Sequence, residues 1–173
     1  MAACGPPSSR MYRYALPLGF LVILLDQVTK FWAESALANG ERIPVIGDFL
    51  SFVLVYNPGA AFSLGTNSTW VFTVFSVIVI GVILWVLKEC RSTAWAITLG
   101  VIAGGAAGNL IDRLVREPSF GQGHVVDFIN YNGWFVGNIA DIALVLGVIA
   151  LAIIELLGVR FGGRSESAEA DDE

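Results

Sequence analysis

The sequence is poor in charged residues, in cysteine and in histidine. Only 14% of its 173 residues are charged and 55% are apolar, with a mean hydropathy of +0.71, whereas soluble globular domains carry about 25% charged and 45–50% apolar residues. This composition excludes an ordinary soluble domain and indicates a membrane protein. The two cysteines, Cys4 and Cys90, show neither a disulfide framework nor metal-site spacing. His124 has no second histidine or cysteine beside it in the external segments, so neither a metal nor a cofactor is expected.

What the sequence does contain is four long apolar runs, at residues 14–32, 70–87, 93–111 and 134–154. At 1.5 Å per residue each run extends about 27–31 Å, which is enough to cross the hydrocarbon core of a bilayer. The predicted fold is therefore an all-α membrane protein, in which residues 14–158 form a bundle of four transmembrane helices. Residues 1–13 are expected to form a cytoplasmic tail, and residues 159–173 an acidic cytoplasmic tail that is disordered.

The segments between these runs predict the orientation and some smaller elements. Lys and Arg residues precede the first run, separate the second from the third and follow the fourth, so both termini are predicted to be cytoplasmic. Residues 43–56 (IPVIGDFLSFVLVY), in the first external segment, are rich in β-branched and aromatic residues and predict a small β element. The second external segment contains Pro118, Gly121 and Gly123, and it predicts a loop or a short surface helix.

Polar residues gather at the extracytoplasmic end of the predicted bundle. Ionisable side chains cost about 2.5–3.5 kcal/mol each near the middle of a membrane helix, so they are functional candidates. By topology, this end holds Asp26, Lys30, Asn57, Asp112, Arg113, Asp127 and Asp141. Several have simpler interpretations. Asp26 and Lys30 are spaced i, i+4 and could only neutralise each other, Asp112 and Arg113 could be a charged helix end, and Asn57 could belong to a plain turn.

Asp127 and Asp141 are the strongest candidates for chemistry. Asp127 lies between apolar neighbours, a setting that raises the pKa of a carboxyl by desolvation. Asp141 follows Asn138 by three residues, and Asn138 could cap the fourth helix so that backbone amides favour the ionised form of Asp141. Two carboxyls that share a proton can activate water, as in aspartic proteases. The spacing leaves open whether the two carboxyls meet, because the loop could equally hold Asp127 in water.

Five short segments occur in order across the membrane region. They are DQVTK from Asp26, NPGAAF from Asn57, GNLIDR from Gly108, VVDF from Val125 and NIADIAL from Asn138. Each segment alone is weak evidence for a protein family, but five segments in this order at suitable topological positions form a specific pattern. Together they resemble the lipoprotein signal peptidase family, the type II signal peptidases.

The resemblance implies that Asp127 and Asp141 are the catalytic aspartates of an intramembrane aspartic endopeptidase in the cell membrane. It implies binding or supporting roles for Asp26, Lys30, Asn57, Gly59, Asn109, Asp112, Arg113, Asn138 and Ala140. The implied substrates are prolipoproteins, cut immediately before a diacylglyceryl-modified cysteine. The expected partners are these substrates and membrane lipids, without nucleic acid, and the protein is expected to be a monomer.

Two other functions are compatible with the residues alone. Membrane carboxylates often form proton relays, so the chain could be a small proton- or solute-translocating protein. The inward halves of the predicted helices lack ionisable groups apart from Glu155, which argues against a complete relay. The polar cluster could also be a noncatalytic scaffold that only fixes helix packing.

Overall fold

Four helices form the main body of the protein. In the computed structural model, which describes residues 9–59 and 69–162, they are α1 (Ser9–Ala36), α2 (Thr69–Val86), α3 (Thr93–Val115) and α4 (Ile139–Leu156). All four are long and apolar enough to cross a membrane. Residues 1–8 and most of the acidic tail, which the sequence assigns to cytoplasmic segments, lie outside the described residues, as do residues 60–62 of the NPGAAF segment.

Helix α3 lies at the centre of the bundle and packs against each of the other three helices. Half of its apolar window is buried inside the protein, against 22% or less in the other three helices. Small residues allow this close packing, as is common between membrane helices. A Cβ atom on Gly104 would lie 2.9 Å from the Cα atom of Gly19 in α1, and one on Gly105 would lie 2.7 Å from the carbonyl oxygen of Ala140 in α4.

A four-stranded antiparallel sheet lies at one end of the bundle. Its strands, in spatial order, are β1 (Ile43–Ile46), β2 (Leu50–Asn57), β3 (Val125–Tyr131) and β4 (Phe135–Gly137). The predicted β element at residues 43–56 is confirmed as the hairpin of β1 and β2. The sheet packs against the C-terminal end of α1, where Ala33 and Leu37, the residue directly after the helix, form a buried cluster with Phe128 and Ile129.

The prediction for the second external segment was right for residues 116–124, which form turns, but it missed a strand. Residues 125–131 form strand β3, and the fourth helix begins at Ile139 rather than at residue 134. The run Val125–Asn130 is buried throughout, because β3 is paired with β2 and β4 and also contacts α1 and α3. Its pairing with β4 depends on a tight turn, in which Asn132 has φ 53° and Gly133 has φ 78°. An Asn-Gly pair is a strong hairpin signal, so this turn was visible in the sequence.

Candidate active site

Strand β3 holds Asp127 at the buried junction between the sheet and the bundle. The residue is 2% exposed, which rules out the alternative in which a loop keeps it in water. Asn57, at the end of the neighbouring strand β2, donates from Nδ2 to Asp127 Oδ2 at 2.8 Å. Asn138 donates from Nδ2 to Asp127 Oδ1 at 2.6 Å. Both carboxyl oxygens therefore accept a hydrogen bond from an asparagine side chain.

The same surroundings change the acidity of Asp127. Its pKa is raised from the usual 3.8 to about 6, mainly by burial and to a smaller extent by the negative charge of Asp141. The hydrogen bonds from Asn57 and Asn138, together with the positive charge of Lys30, act in the opposite direction but are outweighed. The predicted direction of the shift is confirmed, and this carboxyl exchanges a proton close to neutral pH.

Asp141 lies in the first turn of α4 and forms a capping box with Asn138. The backbone amide of Asp141 donates to Asn138 Oδ1 at 3.0 Å, and the backbone amide of Asn138 donates to Asp141 Oδ2 at 3.1 Å. This confirms the prediction that Asn138 caps the fourth helix. The remaining oxygen, Asp141 Oδ1, accepts a hydrogen bond from Asn109 Nδ2 at 2.9 Å.

Asn138 brings the two carboxyls to the same part of the molecule. Its side-chain amide donates to Asp127, while its backbone amide donates to Asp141. Asp127 and Asp141 therefore lie on the same side of the bundle, around one asparagine, although they come from a strand and from a helix. Two carboxyls in such different settings, one buried by apolar neighbours and one at a helix N-terminus, suit separate acid and base roles.

Three fully buried charged residues, Asp26, Lys30 and Asp112, lie behind the two carboxyls. Lys30 Nζ is 2.8 Å from Asp26 Oδ2 and 2.7 Å from Asp112 Oδ2, and it also donates to Asn109 Oδ1 at 3.0 Å. Asp26 Oδ1 accepts from the backbone amide of Ala140 at 2.9 Å. The cluster thus joins α1 to α3 and α4, and neither the simple Asp26–Lys30 pair nor a plain charged helix end describes it.

Arg113 and Gly59 border the other side of the site. The Arg113 side chain donates from Nη1 to the carbonyl oxygen of Asn109 at 3.2 Å, and its guanidinium lies 5.6 Å from the ring centre of Phe72. Gly59 has φ 106°, and its amide donates to Asn57 Oδ1 at 2.8 Å. A side chain at Gly59 would meet the Phe72 ring, so this tight turn requires glycine.

A family model described as signal peptidase (SPase) II matches residues 18–157. The chain belongs to the signal peptidase II family. A lipoprotein signal peptidase of Leifsonia xyli subsp. xyli is 44% identical over 149 residues, which cover 86% of this chain and 69% of that protein. A lipoprotein signal peptidase of Mycobacterium avium is 42% identical over 96% of this chain and 90% of its own length. The resemblance predicted from the five segments is confirmed.

Solved structures agree with this membership of the signal peptidase II family. Two structures, each of a bacterial membrane enzyme studied by the in meso method, are 28% identical to this chain with a TM-score of 0.72. The similarity covers 82% of this chain and 87% or 92% of the other chain. Together with the four apolar helices, the similarity indicates a multi-pass membrane protein.

Three residues near the site of this signal peptidase II family member were not predicted from the sequence: Gln27, Glu34 and Arg116. Gln27 Nε2 donates to Asp26 Oδ2 and to Asp112 Oδ1, both at 3.1 Å. Arg116 pairs with Asp112 and Glu34. The sequence contained a signal for two of them, because Gln27 lies within the DQVTK segment and Arg116 follows Asp112 by four residues. Within the described parts of the chain, no three His, Cys, Asp or Glu side chains are placed to hold a metal ion.

Proposed function

We propose that this chain is an aspartic endopeptidase that removes signal peptides from prolipoproteins, cutting before a diacylglyceryl-modified cysteine. The observation that carries the proposal is the convergence of Asp127 and Asp141 on Asn138. It fits the family to which the chain belongs, whose curated relatives are lipoprotein signal peptidases. Because two carboxyls can activate water without a covalent intermediate, neither a cofactor nor a nucleophilic side chain is required.

The different settings of the two carboxyls suggest a division of labour. Burial raises the pKa of Asp127, so Asp127 is the partner that carries the proton and donates it to the carbonyl oxygen of the scissile amide. Asp141, at the N-terminus of α4, accepts a proton from the attacking water. The water oxygen bonds to the carbonyl carbon, the C–N bond then breaks, and a proton passes to the leaving nitrogen.

Neighbouring side chains hold this pair in place. Asn57, Asn109 and Asn138 each donate to a carboxyl oxygen, and they fix the direction in which the free lone pairs point. The Arg113 guanidinium interacts electrostatically with both Asp127 and Asp141. We assign it to balance the negative charge that develops in the transition state.

The position of the site fits a substrate that is anchored in a membrane. Asp26 and Lys30 lie toward the C-terminal end of α1, and the sheet with Asp127 packs on the same end. The Lys and Arg pattern supports an orientation with this end outside the cytoplasm and both termini inside. A dyad at the outer edge of the cell membrane has water within reach, while the acyl chains of the substrate stay in the bilayer. A monomer suffices, since one chain supplies both carboxyls.

The test is cleavage of a lipid-modified prolipoprotein by purified protein in detergent micelles. Asp127→Asn and Asp141→Asn are each expected to lower the rate by about 10²–10⁴-fold or more, because each removes a proton-transfer group, without reducing the folded amount. Asp48→Asn makes the same chemical change in an exposed turn and should leave cleavage unchanged. Substantial cleavage by either site variant would refute the dyad, whereas proton or solute transport by wild type without cleavage would favour translocation.

A further inference from the structure

A chain of hydrogen bonds leads from Arg116, at the protein surface, toward the site. Arg116 caps the C-terminus of α3, and its Nε donates to Asp112 Oδ1 at 2.9 Å. The other oxygen, Asp112 Oδ2, accepts from the backbone amide of Val126 at 3.2 Å. Val126 directly precedes Asp127, so only Asp112 separates Arg116 from the start of the strand that holds this carboxyl.

A second branch leads through Lys30. Its ammonium group contacts Asp112 Oδ2 at 2.7 Å and donates to Asn109 Oδ1 at 3.0 Å. Asn109 in turn donates to Asp141 Oδ1 at 2.9 Å and accepts from Asn138 Nδ2 at 3.1 Å. Because Asn109 Oδ1 receives both donors, its amide is oriented with nitrogen toward Asp141. The orientation of Asp112 is thus transmitted to both carboxyls of the site.

Arg116 also balances the charge of the buried cluster. Asp26, Lys30 and Asp112 are all fully buried, and with both carboxyls ionised they carry one excess negative charge. The guanidinium of Arg116 compensates that charge from a side chain that is only 18% exposed. Uncompensated charge in a low-dielectric interior acts over a long distance, and Lys30 and Asn109 connect this cluster to the carboxyl of Asp141.

The outer end of Arg116 is held as well. Its Nη1 forms an ion pair with Glu34 near the end of α1, whose side chain is 27% exposed. Beside this pair lies an open cavity of about 560 Å³ that is lined also by Tyr56 and His124. Arg116 therefore spans the boundary between solvent and the buried cluster, and Glu34 keeps it extended toward α1.

We propose that Arg116 is a positioning residue for the cleavage reaction: it fixes Asp112 and keeps the buried charges behind the dyad neutral. It touches neither the substrate nor the reacting atoms, and it acts through Asp112, Lys30 and Asn109. The inference rests on the proposed function, since it concerns the rate and pH dependence of that same reaction.

Several titratable or charged groups face this network. Helix α1 contributes Asp26, Lys30 and Glu34, helix α3 contributes Asp112 and Arg113, and helix α4 contributes Asp141. The strands contribute Tyr56 and Asp127, and the segment between α3 and β3 contributes Glu117 and His124. Substitution of Arg116 alone leaves all of these in place, so a change in the pH profile reports the missing guanidinium.

The experiment measures kcat and KM from pH 4.5 to 9 for wild type, Arg116→Gln and Arg116→Lys, on a lipid-modified prolipoprotein. Arg116→Gln is expected to lower kcat by about 2–30-fold, the range for network residues without ligand contact, with little change in KM. Its kcat/KM profile should move to higher pH by a few tenths of a unit to about one unit, since losing a positive charge raises carboxyl pKa values. Arg116→Lys keeps the charge, so its profile should stay in place while kcat falls. Arg42→Gln is the matched control, because Arg42 is exposed and donates to Ser51 on the sheet, away from the buried cluster.

Each outcome decides between the alternatives. The inference is wrong if the pH profile of Arg116→Gln superimposes on those of wild type and Arg42→Gln, or if only KM changes, which would place Arg116 in substrate binding. An equal pH shift in Arg116→Lys would refute the role of its charge. If Arg116→Gln does not fold, Arg116→Lys decides alone: wild-type kcat would overturn the positioning role. Absence of cleavage by wild type would instead refute the proposed function.

Discussion

Replacing Asp127 with asparagine tests how strongly the fold desolvates this carboxyl. Its pKa is raised from 3.8 to about 6 in the folded protein, so the folded state binds a proton more tightly than the unfolded state does. The free energy of unfolding of wild type therefore includes a contribution that is full below about pH 4 and is lost as the pH rises to about 6. Asp127→Asn has no titrating group at this position and lacks that contribution to the pH dependence.

The magnitude follows from the size of the shift. One pKa unit corresponds to about 1.36 kcal/mol, so a shift of this size corresponds to about 3 kcal/mol. Asparagine presents an NH₂ group where Asp127 accepts from Asn57 or Asn138, and the lost hydrogen bond costs about 1 kcal/mol at any pH. Relative to wild type, the variant is thus expected to gain about 3 kcal/mol between strongly acidic pH and pH 7, of which about 2 kcal/mol falls between pH 4 and pH 7, and to be the more stable protein at pH 7.

The assay is unfolding by SDS titration in non-ionic detergent micelles, followed by tryptophan fluorescence at several pH values. Asp48→Asn, the same change in an exposed turn, should give a curve parallel to that of wild type. Asp141→Asn should reduce the pH dependence without removing it, because the charge of Asp141 is a smaller cause of the shift than burial. If Asp127→Asn and wild type differ by a constant free energy between pH 4 and pH 7, Asp127 is not desolvated and the reasoning fails.

Two further predictions concern the support of the site. Lys30→Met leaves the carboxylates of Asp26 and Asp112 buried without their shared cation, and it should lower the free energy of unfolding by roughly 3–5 kcal/mol. Adding Asp112→Asn to this variant should recover part of the lost stability. No recovery would contradict an electrostatic cause. Gly105→Leu inserts atoms where a Cβ would already lie 2.7 Å from a backbone oxygen of α4, and it should cost about 1–3 kcal/mol by overpacking. The loss of stability is measured by thermal unfolding in micelles, with Gly81→Leu as the control, because a side chain at Gly81 meets open space. Equal melting temperatures for the two variants would refute tight packing at Gly105.

Much of the architecture was predictable because a membrane restricts the choices available to a chain. Without water to satisfy backbone groups, an apolar run of about 20 residues must be helical, so all four helices were found from composition alone. The β1–β2 hairpin was also predicted, because its residues favour strands locally. Strand β3 was missed because it is buried by neighbouring strands and by the helices α1 and α3, and periodicity does not reveal such neighbours.

Most residues of the candidate site were named from the sequence, but Gln27, Glu34 and Arg116 were missed, and the contacts between the site residues were not predicted. The cost of charge in a membrane singled out Asp26, Lys30 and Asp112, and the local pattern predicted both the cap on α4 and the raised pKa of Asp127. These effects depend on a residue and its near neighbours along the chain, which is why the sequence alone determined them.

Only the tertiary structure decided how the pieces meet. Asn138 contacts Asp127 from eleven positions away, and Arg116 joins Glu34 across 82 positions. Such contacts depend on the close approach of α1, α3 and α4 at their small residues, and on the register of β3 beside β2. Side-chain hydrogen bonds require atoms to lie within about 3 Å of each other, and that precision arises only when the whole bundle is packed.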